Sequence, residues 1–125
     1  MNLLLDTHVV LWAFADDQRL GSGAREAIVD GRNLVFVSAV SAWEITIKKA
    51  LGKLRAPDGF LEELVRHRFT PLDVTCEHAL AVERLPPLHA DPFDRLLLAQ
   101  AAEEHLTLVT HDRRLEAYGG AILLV

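Results

Sequence analysis

The chain has 125 residues, of which 50% are hydrophobic and 25% charged. That is the length and composition of one globular domain spanning residues 1–125, and it excludes a disordered chain. Thirteen basic against eighteen acidic residues leave a net charge of −5, which argues against a protein that coats nucleic acid generally.

In chain order, Leu3-Leu4-Leu5 is a continuous apolar run that reads as a central strand buried on both faces. A helix is expected from Thr7 to about Asp16, and a second from a cap at Ser22 to a stop near Gly31. Leu34–Val37 is the next buried strand. Ser41 opens a third helix, with Trp43, Ile47, Ala50, Leu51 and Leu54 on one stripe. Between Pro57 and Phe69 lies a short amphipathic helix that turns Phe60, Leu61, Leu64 and Val65 inward. Phe69–Val74 is a strand that Pro71 confines to an edge. Thr75 caps a helix to about Leu85, stopped by Pro86-Pro87, and Asp91-Pro92 starts another to about His105. A strand at Leu106–Thr110, a helical turn at Arg113–Ala117 and a strand at Ala121–Val125 complete the chain. Strands alternating with helices imply right-handed crossovers and a parallel sheet covered on both faces. Ligands of such sheets bind at the carboxyl ends of the strands, near a switch in strand order.

Four acids occupy positions where a buried charge is costly. Asp6 and Asp112 follow the ends of buried strands; Glu44 and Asp94 open strongly apolar helices. Each also has a purely structural explanation. Asp6 or Thr7 is a natural N-cap, and Asp112 is a turn residue or cap. Ser41-Ala-Trp-Glu44 has the spacing of a capping box, and Lys48 stands four residues on, placed to pair weakly with Glu44. Asp91 reads as an N-cap, Pro92 as the first helical residue, and Asp94 as the capping-box partner. A parallel sheet nevertheless gathers all four acids at one edge. There they raise one another's pKa values, and a divalent cation removes that cost.

The stretches Leu3–Trp12, Ser38–Ile45, His89–Ala101 and Leu108–Asp112 resemble the PIN-domain nucleases, specifically the VapC-like toxins of bacterial toxin–antitoxin pairs. Asp-Pro-Phe-Asp-Arg combined with Trp-Glu-Ile carries the specificity of the match. The resemblance implies an α/β fold, a three-layer α/β/α sandwich around a central parallel sheet. It implies that Asp6, Glu44, Asp94 and Asp112 hold Mg²⁺ or Mn²⁺ and hydrolyse RNA phosphodiester bonds. Thr7 and Thr110 match hydroxyl residues beside the acids, and Asp91 a recurrent residue of the subgroup, read here as a cap or support. The implied partners are a small VapB-like antitoxin, an RNA substrate and a second copy of the chain in a homodimer. Two other readings compete. One is a catalytically silent protein-binding module of the same fold. The other is a phosphoryl-transfer enzyme with a nucleophilic Asp, for which Asp6-Thr7-His8 lacks the Asp-x-Asp pattern.

The six histidines show no zinc-ligand spacing. His8 and His111 adjoin the acids, where they either touch substrate or make local hydrogen bonds, the second being the simpler reading; His89 is assigned a structural role. Arg95 is a candidate phosphate contact or a salt-bridge partner of Asp91 or another acid. Trp12 and Trp43 read as core. Residues 48–68 hold six basic and three acidic residues, a net of +3, whereas the remainder holds seven and fifteen, a net of −8. A solvated helix face is the plain explanation of this segment; the functional one is that it guides an RNA backbone toward the acids, with Lys48, Lys49 and Lys53 as candidate contacts. One cysteine, Cys76, excludes an internal disulfide and fits the reducing cytoplasm. No secretory leader is expected, since Met1-Asn2 is not basic and Asp6 breaks the first apolar stretch. No membrane association is expected either, because runs such as Val9–Ala15 fall far below the roughly 18 residues of a span.

Overall fold

Leu3, Leu4 and Leu5 are all fully buried, which a strand achieves only when both faces of its sheet are covered. In the computed structural model, which describes residues 1–125, this strand is β1 (Leu3–Leu5). It is the middle of five parallel strands, with β2 (Val35–Ser38), β3 (Thr70–Leu72), β4 (Thr107–Thr110) and β5 (Ile122–Leu124), in the order β3-β2-β1-β4-β5. The chain winds outward from β1 to β3, then crosses to the other side of β1 for β4 and β5. Strand order therefore reverses between β1 and β4, and the crevice of a doubly wound sheet opens at their carboxyl ends.

Six α-helices accompany the strands: α1 (Thr7–Ala15), α2 (Ser22–Val29), α3 (Ala39–Ala50), α4 (Phe60–Arg66), α5 (Cys76–Ala81) and α6 (Pro92–Glu104). Short 3-10 turns cover Gln18–Leu20, Val82–Arg84 and Arg113–Tyr118. Alternation along β1 sends Leu3 and Leu5 to one face, where they meet Val9, Val10, Phe14, Ala24 and Leu64. Leu4 goes to the other face and meets Leu97, Leu98, Ala101 and Leu115. The result is the expected three-layer α/β/α arrangement. No helix is long and apolar enough to cross a membrane.

Several local expectations hold. Pro71, which has no N–H to give, lies in the edge strand β3. Thr75 caps α5, and Asp91 caps α6 with Pro92 in its first turn. Other expectations need correction. Ser22 is the first residue of α2, with Gly21 at the cap position, and makes no capping hydrogen bond. Helix α3 starts at Ala39, capped by Ser38 at the end of β2, whose hydroxyl accepts the Val40 N–H at 3.0 Å. Ser41 is thus inside the helix, and Ser41–Glu44 is not a capping box. The buried face of α3 carries Val40, Ser41, Glu44 and Ile45, while Trp43 is 59% exposed and Leu51 is exposed too. Both stripes have helical spacing, so periodicity does not choose between them; the polar partners described below do. On α4 the outcome is similar, with Leu64 buried and Phe60 partly so, whereas Leu61 and Val65 face solvent.

Candidate active site

Pairing of β1 with β4 places Leu5 opposite Val109, so Asp6, just past β1, stands beside Thr110, the last residue of β4. Asp6 is 2% exposed, and its two oxygens do different work. Oδ1 accepts the Val9 N–H at 2.9 Å and caps α1. Oδ2 accepts the Thr110 hydroxyl at 2.5 Å and the His111 N–H at 3.3 Å, and faces His111 Nδ1 at 3.3 Å. Cap and site role coexist in one carboxylate. The Asp6 carboxylate in turn holds the His111 imidazole above its ordinary pKa.

Glu44 enters from the second turn of α3 and is 4% exposed. Its Oε1 lies 2.5 Å from Thr7 Oγ1, which is also 3.1 Å from Ser41 Oγ. With one hydroxyl proton, Thr7 donates to the carboxylate and accepts from the serine. Oε2 of Glu44 takes Lys48 Nζ, and that ion pair raises the lysine's pKa. Lys48 is therefore held by Glu44, in a pair far less exposed than a surface contact.

Helix α6 brings Asp94. Asp91 Oδ1 accepts the backbone N–H groups of Phe93 and Asp94 at 2.8 and 3.2 Å. Instead of reaching back to the cap, the Asp94 carboxylate turns to His89, whose Nε2 is 2.9 Å from Oδ2. Burial pushes the Asp94 carboxyl up to about 6, and repulsion from Asp91 and Asp6 adds to the effect; the His89 hydrogen bond works in the opposite direction. Asp112 lies 3.8 Å beyond His89 Nε2. It caps the Arg113–Tyr118 turn by accepting the Arg114 N–H at 3.0 Å, and the Arg114 guanidinium grips both its oxygens at 3.0 and 2.7 Å. That grip holds the Asp112 carboxyl down at about 2. Two neighbouring carboxylates thus have affinities for a proton pushed far apart by their surroundings.

The ligating atoms of His89, Asp94 and Asp112 all lie within 4.8 Å of one another. Asp6 and Glu44 flank this set without entering it. The donor chemistry, two carboxylates and an imidazole beside two further acids, suits a divalent cation. His89 had no metal-ligand spacing to mark it. The usable signal was its place two residues before the α6 cap, where the chain folds back over the helix's first turn.

Arg95 is a correction. It makes no pair with Asp91 and does not point to the acids. Its guanidinium donates to the carbonyls of Pro86 at 2.9 Å and of Val82 and Leu85 at 3.3 Å, and to the Tyr118 hydroxyl at 3.1 Å. Arg95 ties the loop before α6 to the helix. Lys49 faces Asp58 at 3.2 Å in an exposed pair, and Lys53 is exposed. Trp12, expected in the core, is half-buried: it packs against the core and also reaches the rim of the site. It stands edge-on to His111 at 5.4 Å, with the Arg19 guanidinium 5.0 Å from its ring centre. His8 lies 4.6 Å from the His111 ring, and burial together with that neighbour lowers its pKa. Trp43 is at the surface, edge-on to Phe93 at 5.5 Å.

Comparison with known proteins places this geometry. The PIN domain family model matches residues 3–121. Ribonuclease VapC22 of Mycobacterium tuberculosis is 36% identical, over 93% of this chain and 91% of that protein. Among solved structures, VapBC2 from Rickettsia felis bound to a DNA fragment from their promoter superposes with a TM-score of 0.73 at 16% identity, covering 99% of this chain and 98% of that one. DNA-bound VapBC from Salmonella typhimurium gives 0.71 at 19% identity, covering 98% and 97%. At such identities the two structures speak for the fold.

The Asp94 environment predicts an unusual pH response in the cation-free protein. A carboxyl held above its unfolded value of about 4 favours the folded state fully below that pH and loses the contribution as pH rises through about 6. In the presence of a chelator, wild type should therefore lose on the order of 2 kcal/mol relative to Asp94→Asn between pH 4 and pH 7, after allowance for partial exposure. Urea midpoints of the two proteins across that range check it, and a constant difference contradicts it. Asp112 does not confuse the reading, because its contribution is present above about pH 4 and fades only as pH falls through about 2.

Proposed function

The chain belongs to the PIN-domain family, and from that premise we propose that it is the toxin of a toxin–antitoxin pair, an endoribonuclease that uses a divalent cation. The observation that carries this reading is the convergence of Asp6, Glu44, Asp94 and Asp112 on the carboxyl edge of the sheet, at the reversal of strand order. The relatives support it by name: one is called a ribonuclease, and the structural neighbours are VapBC assemblies. A silent protein-binding module would have no use for carboxylates buried against one another.

In this reading Asp94 and Asp112 hold Mg²⁺ or Mn²⁺, with Asp6 and Glu44 completing the site. When bound, the cation supplies charge for the phosphodiester's transition state and lowers the pKa of water. The chain's own groups prepare that chemistry. Thr110 and the Val9 N–H fix the two oxygens of Asp6, and Thr7 fixes Glu44. Lys48 offsets the charge of Glu44, so the cluster is less repulsive than its count of acids suggests. Arg114 keeps Asp112 ionised. No side chain needs to act as a covalent nucleophile.

RNA, a small VapB-like antitoxin and a second copy of the chain are the partners we assign, and the cytoplasm is the place where such an activity would act. With Mg²⁺ or Mn²⁺, the purified chain should cut RNA, and EDTA should stop it. Asp6→Asn and Asp94→Asn should each lower cleavage by at least about a hundredfold while circular dichroism stays native. Full activity in either folded variant overturns the proposal.

Lys49 and Lys53 are exposed cations of the basic segment, with Arg55 and Arg68 exposed in the same stretch, and the two lysines are the ones we assign to guide an RNA backbone. Reversing both to Glu in the Asp94→Asn background should weaken RNA binding several-fold, more at low salt than at high. Filter binding at two salt concentrations measures this, and equal affinities remove these residues from the binding surface.

A further inference from the structure

His89 is the member of the site that an acid-only account leaves without a task. Its side chain is 7% exposed and lies between Asp94 and Asp112. The position is built, not incidental. Asp91 and Pro92 turn the chain into α6, so the residue two before the cap comes back over the first turn, where Asp94 projects. The preceding loop is closed by the Leu88 N–H donating to the Pro86 carbonyl at 2.9 Å. Arg95 then anchors the same Pro86 carbonyl at 2.9 Å and Leu85 at 3.3 Å. A ring merely filling space would not need its loop tied at these points.

We propose that His89 is a ligand of the divalent cation, donating Nε2 beside Asp94 and Asp112, and that this nitrogen makes the site prefer Mn²⁺ to Mg²⁺. The inference rests on the reading of the site as a metal centre. Around a small octahedral cation with ligands at about 2.1 Å, neighbouring donors lie about 3 Å apart. Nε2 is 2.9 Å from Asp94 Oδ2, already at that spacing, and 3.8 Å from Asp112 Oδ2, which must draw closer to join them. In one tautomer Nε2–H donates to Asp94; in the other the proton sits on Nδ1 and Nε2 turns its lone pair into the cluster. Changing between them leaves the number of bound protons unchanged. Mg²⁺ strongly prefers oxygen donors, whereas imidazole suits first-row transition ions, and a mixed nitrogen and carboxylate set therefore discriminates between the two.

The test uses the full chain loaded with Mn²⁺ alone. Pulsed electron paramagnetic resonance should show modulation from a directly bound ¹⁴N nucleus. The modulation should change to that of ¹⁵N when histidine is labelled, persist in His111→Gln and vanish in His89→Gln. Calorimetric titration should show Mn²⁺ affinity falling about tenfold or more in His89→Gln, and Mg²⁺ affinity changing by no more than about twofold. Mn²⁺ bound without nitrogen modulation, or equal losses for both ions, overturns the role of His89 and leaves it positioning Asp94 by a hydrogen bond. Failure of the wild-type chain to bind Mn²⁺ at all overturns the metal centre itself. If the His89 variant fails to fold, persistence of the ¹⁴N modulation in both His8→Gln and His111→Gln leaves His89 as the ring at the acids that supplies it, and its loss in either overturns the proposal.

Discussion

Carboxylates packed at the end of a buried parallel sheet are costly, because burial and mutual repulsion both oppose their charge. Much of the structure around the site is arranged to manage that cost. Asp6 is nearly inaccessible, yet every polar contact around it is a donor: the start of α1, the Thr110 hydroxyl and the His111 backbone. Glu44 is matched by Thr7 and by Lys48 one helical turn away. Asp112 is matched by Arg114. Asp94 is the member left with the weakest compensation, and its carboxyl is the one driven upward. The site is thus uneven: three acids are secured by backbone, hydroxyl or cationic donors, and Asp94 faces an imidazole.

The fold supplies this arrangement through register. Leu5 opposite Val109 sets Asp6 beside Thr110, and the β2-to-α3 junction at Ser38 delivers Ser41 and Glu44 to the same edge. Pro92 and Asp91 begin α6 there, and Arg95 ties the preceding loop to that helix. A residue read as a nucleic-acid contact is therefore a structural brace between α6 and the chain before it.

Much of the fold was legible because its cues are local. The apolar Leu3–Leu5 run, the Pro71 edge, the Thr75 cap and the Asp91-Pro92 start each need only neighbouring residues to be read, and each lies where expected. The four acids were legible because a parallel sheet sends the ends of all its strands to one side. What could not be read depends on distant partners. Ser38 and Ser41 are both acceptable caps, and the choice belongs to the end of β2. Trp43 and Ile45 lie on competing stripes of one helix, and the Thr7–Glu44 contact favours the second. On α4, Leu61 and Val65 share helical spacing with Phe60 and Leu64, and only packing separates them. His89 and Arg95 gain their roles from contacts across turns, to which periodicity and spacing are blind.

If the acids are strained against one another until a cation joins them, binding must stabilise the whole chain. The direct measurement is the melting temperature of the wild-type protein near pH 7.5 in EDTA and in increasing Mn²⁺, beside Asp94→Asn. The account predicts a rise of about 10 °C for wild type at a hundredfold excess over the dissociation constant, and little or none for the variant. A wild-type melting temperature that is the same in EDTA and in saturating Mn²⁺ would contradict it.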